Sequence, residues 1–66
     1  MINQKLKQLI DAAYPSQSAC ADALNWPRQK LNRYVLGQAM PTLEDTQALA
    51  TVLNRPIGEM VNIFLP

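Results

Sequence analysis

Apolar residues recur along this chain at helical spacing. Leu6, Leu9, Ile10 and Ala13 stand at i, i+3, i+4 and i+7 with Lys5, Lys7, Gln8 and Asp11 between them, the stripe of a surface helix. Tyr14 and Pro15 end it, because proline is not accommodated inside a helix and pushes its predecessor toward extended backbone. Ser16 is the expected cap of a second, two-turn helix, with Cys20, Ala21 and Leu24 on one face and Gln17, Ser18 and Asp22 on the other. Asn25 stops it, since asparagine tolerates the left-handed conformation that terminates helices. Pro27 presets φ for a restart, and the spacing predicts a third helix over 28–36 with Leu31, Tyr34 and Val35 inward and Gly37 just past its end.

Beyond a loop at 38–41, Thr42 caps a fourth helix. Glu44 and Asp45 sit in its first turn, where the helix dipole favours acids, and both are expected to be solvated. Leu43, Leu49, Ala50 and Leu53 form its expected buried side. A turn at Asn54 and Arg55 leads to Pro56, and Ile57, Met60, Val61 and Phe64 predict a fifth helix within 56–65. No strand alternation competes, and no internal repeat or low-complexity tract stands out. The expectation is all-α: a compact bundle of five short helices forming one domain over 1–66.

Composition narrows the chemistry. The chain has 66 residues, 48% hydrophobic and 17% charged, which is ordinary for a globular protein. A fold of this size buries only about 60% of its unfolded surface, so packing must be good or the chain must self-associate. One Cys and no His rule out an intrachain disulfide and leave too few ligands for a Cys/His zinc site. No apolar run approaches the ~20 residues of a membrane span, and residues 1–10 are too polar for a signal peptide, so a reducing cytoplasm is expected. Catalytic sets are missing too: no histidine base, no glycine-rich phosphate loop, no Ser-His-Asp arrangement. The acids Asp11, Asp22, Glu44, Asp45 and Glu59 are scattered, and Cys20 reads as a small buried hydrophobe. Neither an enzyme nor a metal or other cofactor is expected.

The segment from Ser16 to Gly37 stands out. Two short helices joined by a three-residue turn have the layout of a helix-turn-helix at 17–36. Ala21 is small enough to let the helices cross closely, Asn25 makes the turn, Trp26 fills the space beneath it and Leu31 anchors the second helix. Net charge is only +1, so attraction to a polyanion rests on charge distribution. Between Ala23 and Leu43 lie three cations, Arg28, Lys30 and Arg33, and no acid. Arg28, Gln29, Asn32 and Arg33 carry the groups that pair with guanine and adenine edges in the major groove, and Lys30 suits a phosphate.

These residues, in this register, resemble the lambdoid-repressor and Cro-like helix-turn-helix family, the xenobiotic-response-element-type regulators. The resemblance covers 5–61 and rests on Ser16-Gln17, Cys20-Ala21, Leu24-Asn25-Trp26, the run from Leu31 to Gly37, Pro41-Thr42-Leu43-Glu44, Leu49-Ala50 and Leu53-Asn54. Helical antitoxins share that register. The resemblance implies base reading by Arg28, Gln29 and Arg33, with Asn32 a further candidate. It implies backbone contacts from Gln17, Lys30 and Gln38, Gln17 also bracing the recognition helix. The chain departs from the family at Pro27, where a capping Ser or Thr is usual, at Asn25, where Gly is common, and at Val35 and Leu36, which are usually polar.

The implied function is a sequence-specific transcriptional regulator, a repressor of bacterial or phage type acting at a double-stranded DNA operator in the bacterial nucleoid. The alternative is an antitoxin or interaction module whose basic helix binds an acidic toxin or phage protein. A predicted inward stripe of Ile57, Met60, Val61 and Phe64 leaves Ile63 and Leu65 without a burial site. An isologous homodimer is therefore expected through 55–65, with Arg55, Ile57, Ile63, Phe64 and Leu65 at the interface and Val35 and Leu36 as lesser contributors; a tail packed back on the first helix is the alternative.

Overall fold

The computed structural model describes residues 2–65, so the two end positions of the expected 1–66 domain lie outside the described residues. It contains five helices: α1 (Gln4–Ala13), α2 (Gln17–Leu24), α3 (Arg28–Val35), α4 (Leu43–Leu53) and α5 (Ile57–Phe64), and no strand among the described residues. The fold is the expected all-α bundle. Its α3 stops one residue earlier than predicted, with Leu36 as its C-cap, and α5 is one residue shorter at each end.

Local chemistry sets the boundaries. Asn3, Ser16 and Thr42 each accept a hydrogen bond from the backbone N–H three residues on, closing an otherwise unpaired donor at the starts of α1, α2 and α4. Pro27 and Pro56 stand immediately before α3 and α5 with extended ψ and supply no side-chain cap. The prolines thus act as N-caps, just outside the first helical turn. Asn25 and Asn54 adopt φ of 58° and 56°, and Gly37 follows α3 at 73°.

The two asparagine turns reveal a repeat that hydrophobic spacing alone had not exposed. The pattern Ala-x-x-Leu-Asn-x-Pro occurs at 21–27 and again at 50–56. Trp26 N–H donates to the Ala21 carbonyl at 3.0 Å, and Arg55 N–H to the Ala50 carbonyl at 3.0 Å; Asn25 and Asn54 donate to Asp22 and Thr51 in the same way. The α2–α3 and α4–α5 hairpins are therefore two uses of one supersecondary unit. Equivalent positions in their second helices fill the core: Leu31 and Met60 are both fully buried.

Eleven hydrophobic residues form the buried cluster, drawn from all five helices, with Leu6, Ile10, Leu31, Leu49, Met60 and Cys20 almost entirely enclosed. Helix α4 packs on α5 and α2, α2 on α3, and α1 touches α2, α3 and α4. Three hydrogen bonds tie distant segments together. Asn3 N–H donates to the Val35 carbonyl at 2.8 Å, the Asn3 amide to the Ile63 carbonyl at 3.1 Å, and the Tyr14 hydroxyl to the Val52 carbonyl at 3.2 Å.

Several sequence expectations change. Leu43 is 67% exposed at the start of α4; Thr46 takes the buried place, its hydroxyl donating to the Thr42 carbonyl at 2.8 Å. Ala13, at the end of α1, is exposed. On α5 the inward stripe is Met60, Ile63 and Phe64, leaving Ile57, Val61 and Leu65 outward. So Ile63 and Phe64, expected at an interface, pack against this chain's own core. Helix α5 carries one broad apolar arc, from Ile63 through Met60, Phe64 and Ile57 to Val61, so periodicity could not choose which part of it faces inward, and packing on α4 with the Asn3 bond to Ile63 decides it.

The contrast between core and rim is measurable. Leu49→Ala should destabilise the fold by about 2–5 kcal/mol through lost burial and a residual cavity, whereas Leu43→Ala should change it by no more than about 0.5 kcal/mol. Urea unfolding followed by tryptophan fluorescence checks both, and comparable losses would contradict this packing.

Candidate nucleic-acid interface

Helix α3 is divided sharply between its two faces. Leu31 is fully buried, Tyr34 and Val35 nearly so, and this inward side fixes the helix on the core. Arg28, Gln29, Asn32 and Arg33 are all exposed. An i, i+1, i+4, i+5 set spans one side of a helix, so the four side chains share a single outward surface. Eight residues of α-helix run about 12 Å, a length that fits in a major groove of about 12 Å width. Among the described residues neither Arg28 nor Arg33 is ion-paired within the chain.

Helix α2 supports this surface. Gln17 is half-buried at its start, and its side-chain amide donates to the side-chain Oδ1 of Asn32 at 3.1 Å. That bond leaves the Asn32 NH₂ group available outward and holds the middle of α3 in place. At the far end, Gln38 is exposed, and its backbone N–H donates to the Arg33 carbonyl at 2.9 Å, closing the last turn of the helix.

The structure revises the reading of Lys30. Its ammonium lies 3.2 Å from Asp45 Oδ2 and 3.3 Å from Oδ1, and 4.4 Å from the centre of the Trp26 ring. Lys30 is therefore held by intramolecular contacts instead of standing free for a phosphate. The acid-free stretch of sequence is not acid-free in space, because α4 returns Asp45 to it. Asp45 was expected to be solvated, yet its side chain is only 15% exposed.

Asp45 also accepts a hydrogen bond of 2.7 Å from the Tyr34 hydroxyl, while its own backbone N–H donates to Thr42 Oγ1. Trp26 meets Tyr34 edge-to-face with centroids 5.8 Å apart, an arrangement worth about 0.5–1.5 kcal/mol beyond area burial. Trp26, Lys30, Tyr34 and Asp45 thus form a box joining the turn, α3 and α4. Burial pushes the Tyr34 phenol up to about 12, the hydrogen bond and negative charge of Asp45 adding to it and Arg33 opposing. Burial also raises the Cys20 thiol, which suits an inert core residue.

Beside the box a cleft of about 420 Å³ runs between α3 and the following loop, lined by Pro27, Gln29, Lys30, Arg33, Tyr34, Ala39 and Met40. No group of three or more metal-ligating side chains occurs among the described residues, and no described helix is long and apolar enough to cross a membrane. Sequence reading missed Asp45 and the Tyr34 hydroxyl as parts of this site. Asp45 lies 15 residues from Lys30, and no local pattern signals the pair.

A short helix packed across a tight turn from its neighbour, with its inner face on the core and polar groups on its outer face, is the arrangement of a helix-turn-helix. Residues 6–60 match the family model described as helix-turn-helix, and the chain belongs to that family, of Cro/C1 type. Its members are DNA-binding regulatory proteins, generally without enzymatic activity. Neither a curated protein nor a solved structure matches the chain significantly.

The box predicts a spectroscopic signature. One of the two tyrosines should ionise only near pH 12, and Asp45→Asn should move that phenol down toward the ordinary value near 10. Because the folded value is raised, the associated stability is complete below pH ~10 and is lost as pH rises through about 12. Ultraviolet titration with parallel melting curves tests both.

Proposed function

We propose that this chain is a sequence-specific repressor that reads an operator through the outward face of α3 and does so as a homodimer. The carrying observation is the group of four exposed, adjacent side chains, Arg28, Gln29, Asn32 and Arg33, on a helix locked from behind by Leu31, Tyr34 and Val35. Arginine pairs bidentately with guanine O6 and N7, glutamine and asparagine with adenine N6 and N7. In this reading Gln17, at the N-terminus of α2, and Gln38 bind the sugar-phosphate backbone and set the register. Lys30 is left out of the contact set for the reason given above.

Dimerisation uses the outward side of α5. Ile57, Val61 and Leu65 recur at i, i+4 and i+8 and are 41%, 38% and 58% exposed. Gly58 beside them faces open space. This uncharged stripe replaces the earlier candidates Ile63 and Phe64. Arg55 is engaged with Glu59 at 2.8 Å and belongs to the rim. Two half-sites about 34 Å apart require each recognition helix to stand about 17 Å from the two-fold axis. A protomer measuring 26 × 23 × 20 Å is of a size compatible with that spacing. Occupation of such a site blocks polymerase, which is the sense in which the regulator represses.

Selection from randomised duplexes should return a two-fold-symmetric site. On that site Arg28→Ala should cost about 1–3 kcal/mol and relax preference at one base pair per half-site, while Gln38→Ala should weaken all sequences alike. A protein partner as the true target would instead leave no preferred duplex and no steep salt dependence.

The oligomer is tested separately by sedimentation equilibrium at micromolar concentration. A dimer that Val61→Asp converts to monomer is expected, and a monomeric parent protein defeats this part of the reading.

A further inference from the structure

The ion pair between Lys30 and Asp45 sits where it affects DNA binding. Lys30 lies in the first turn of α3, next in sequence to Gln29 and three residues before Arg33, and all three line the same open cleft. It is the one cation among Arg28, Lys30 and Arg33 that has an acid partner among the described residues. That partner comes from another helix and approaches with both carboxylate oxygens. The Asp45 carboxylate is itself held by the Tyr34 hydroxyl at 2.7 Å, on a backbone fixed in the capped first turn of α4. Trp26 closes the third side of the ammonium.

We propose that Asp45 acts as a built-in substitute for DNA phosphate: it occupies the Lys30 ammonium, removes one sequence-independent contact and so lowers both the affinity for bulk DNA and the salt dependence of binding. The proposal rests on the DNA-binding reading of α3. Each phosphate neutralised by a protein cation contributes about 0.9 to the salt slope of binding to duplex DNA, with no dependence on base sequence. Base contacts by Arg28, Gln29, Asn32 and Arg33 are untouched by the exchange. Keeping one lysine out of the phosphate set therefore lowers affinity for bulk DNA more than it changes discrimination between sequences. A purely structural role for Asp45, pinning α3 to α4, makes the opposite prediction, because its loss would then weaken every mode of binding.

The test compares the parent protein with Asp45→Asn, Lys30→Met and the double variant, on a mixed-sequence duplex from 50 to 300 mM salt. Asp45→Asn keeps the shape of the side chain and removes its charge. It should steepen the non-specific salt slope by about 0.9 and raise non-specific affinity roughly eightfold at 0.1 M salt relative to extrapolation at 1 M. Lys30→Met alone should leave the slope unchanged, and adding it to Asp45→Asn should cancel the gain. Circular dichroism melting accompanies each variant, and Lys30→Met needs no change at Asp45, so the idea stays testable even if Asp45→Asn folds poorly. A slope that drops by about 0.9 in Lys30→Met would mean that Lys30 already reaches phosphate, and that overturns the proposal while leaving the DNA-binding reading intact. A parent protein with no salt-dependent binding to any duplex overturns both.

Discussion

Left-handed backbone at Asn25 and Asn54 costs on the order of 1 kcal/mol at each position, yet the reversals that start α3 and α5 depend on these two residues. At positive φ the chain reverses direction within three residues, and the N–H after each asparagine closes back on an alanine carbonyl at 3.0 Å. The alanines at 21 and 50 are buried, and a small side chain there lets the next helix cross closely. Proline then ends each turn with φ already near the helical value and no N–H to satisfy. An eight-residue helix is unstable alone because nucleation outweighs so few hydrogen bonds. The turn, with the core contacts of Leu31 or Met60, keeps α3 and α5 formed.

The recognition surface proposed for α3 must be rigid without being buried, and the fold meets the two demands on opposite sides of that helix. Behind it, Tyr34 carries the load twice, through its ring against Trp26 and its hydroxyl on Asp45. To one side, Gln17 reaches across to Asn32. Holding side chains before a ligand arrives reduces the ordering cost of binding, which for long polar side chains runs about 0.5–1.5 kcal/mol each. The arginines keep their freedom, while the groups flanking them do not. The same contacts that stiffen the helix also fix its local charge, because Asp45 cannot brace Tyr34 without also meeting Lys30.

What was legible in the sequence was what depends on neighbours a few residues away. Ser16, Thr42, Asn25, Gly37 and the prolines marked helix ends correctly because capping and positive φ are local chemistry. The split between Leu31, Tyr34 and their exposed neighbours was legible for the same reason, since a single period of 3.6 describes it. Two features were not. Helix α5 carries one apolar arc too broad to say which part faces inward, so its rotation is settled only by contact with α4 and the Asn3 bond to Ile63. The Lys30–Asp45 pair joins different helices, and a sequence window centred on either residue sees a solvated charge. Function followed the same division: the class of protein rests on the local hairpin pattern, whereas the charge at its surface is a tertiary property.

The doubled hairpin explains how so small a chain can carry two different outer surfaces. Inward positions of α3 and α5 obey one packing rule, Leu31 matching Met60, Tyr34 matching Ile63 and Val35 matching Phe64. Outward positions obey none in common: Arg28, Gln29, Asn32 and Arg33 on α3 correspond to Ile57, Gly58, Val61 and Asn62 on α5. Substitutions at exposed helix positions usually change stability by less than about 0.5 kcal/mol, so the two faces vary with little effect on the shared core. One face has become polar and cationic, the other apolar and uncharged. An apolar face on α5 is tolerable because both hairpins are already anchored from within, and exposed Ile57, Val61 and Leu65 need not contribute to folding. Three large aliphatic side chains left this exposed on one face are accounted for by association, which is why the proposed dimer uses α5 and the proposed DNA contacts use α3.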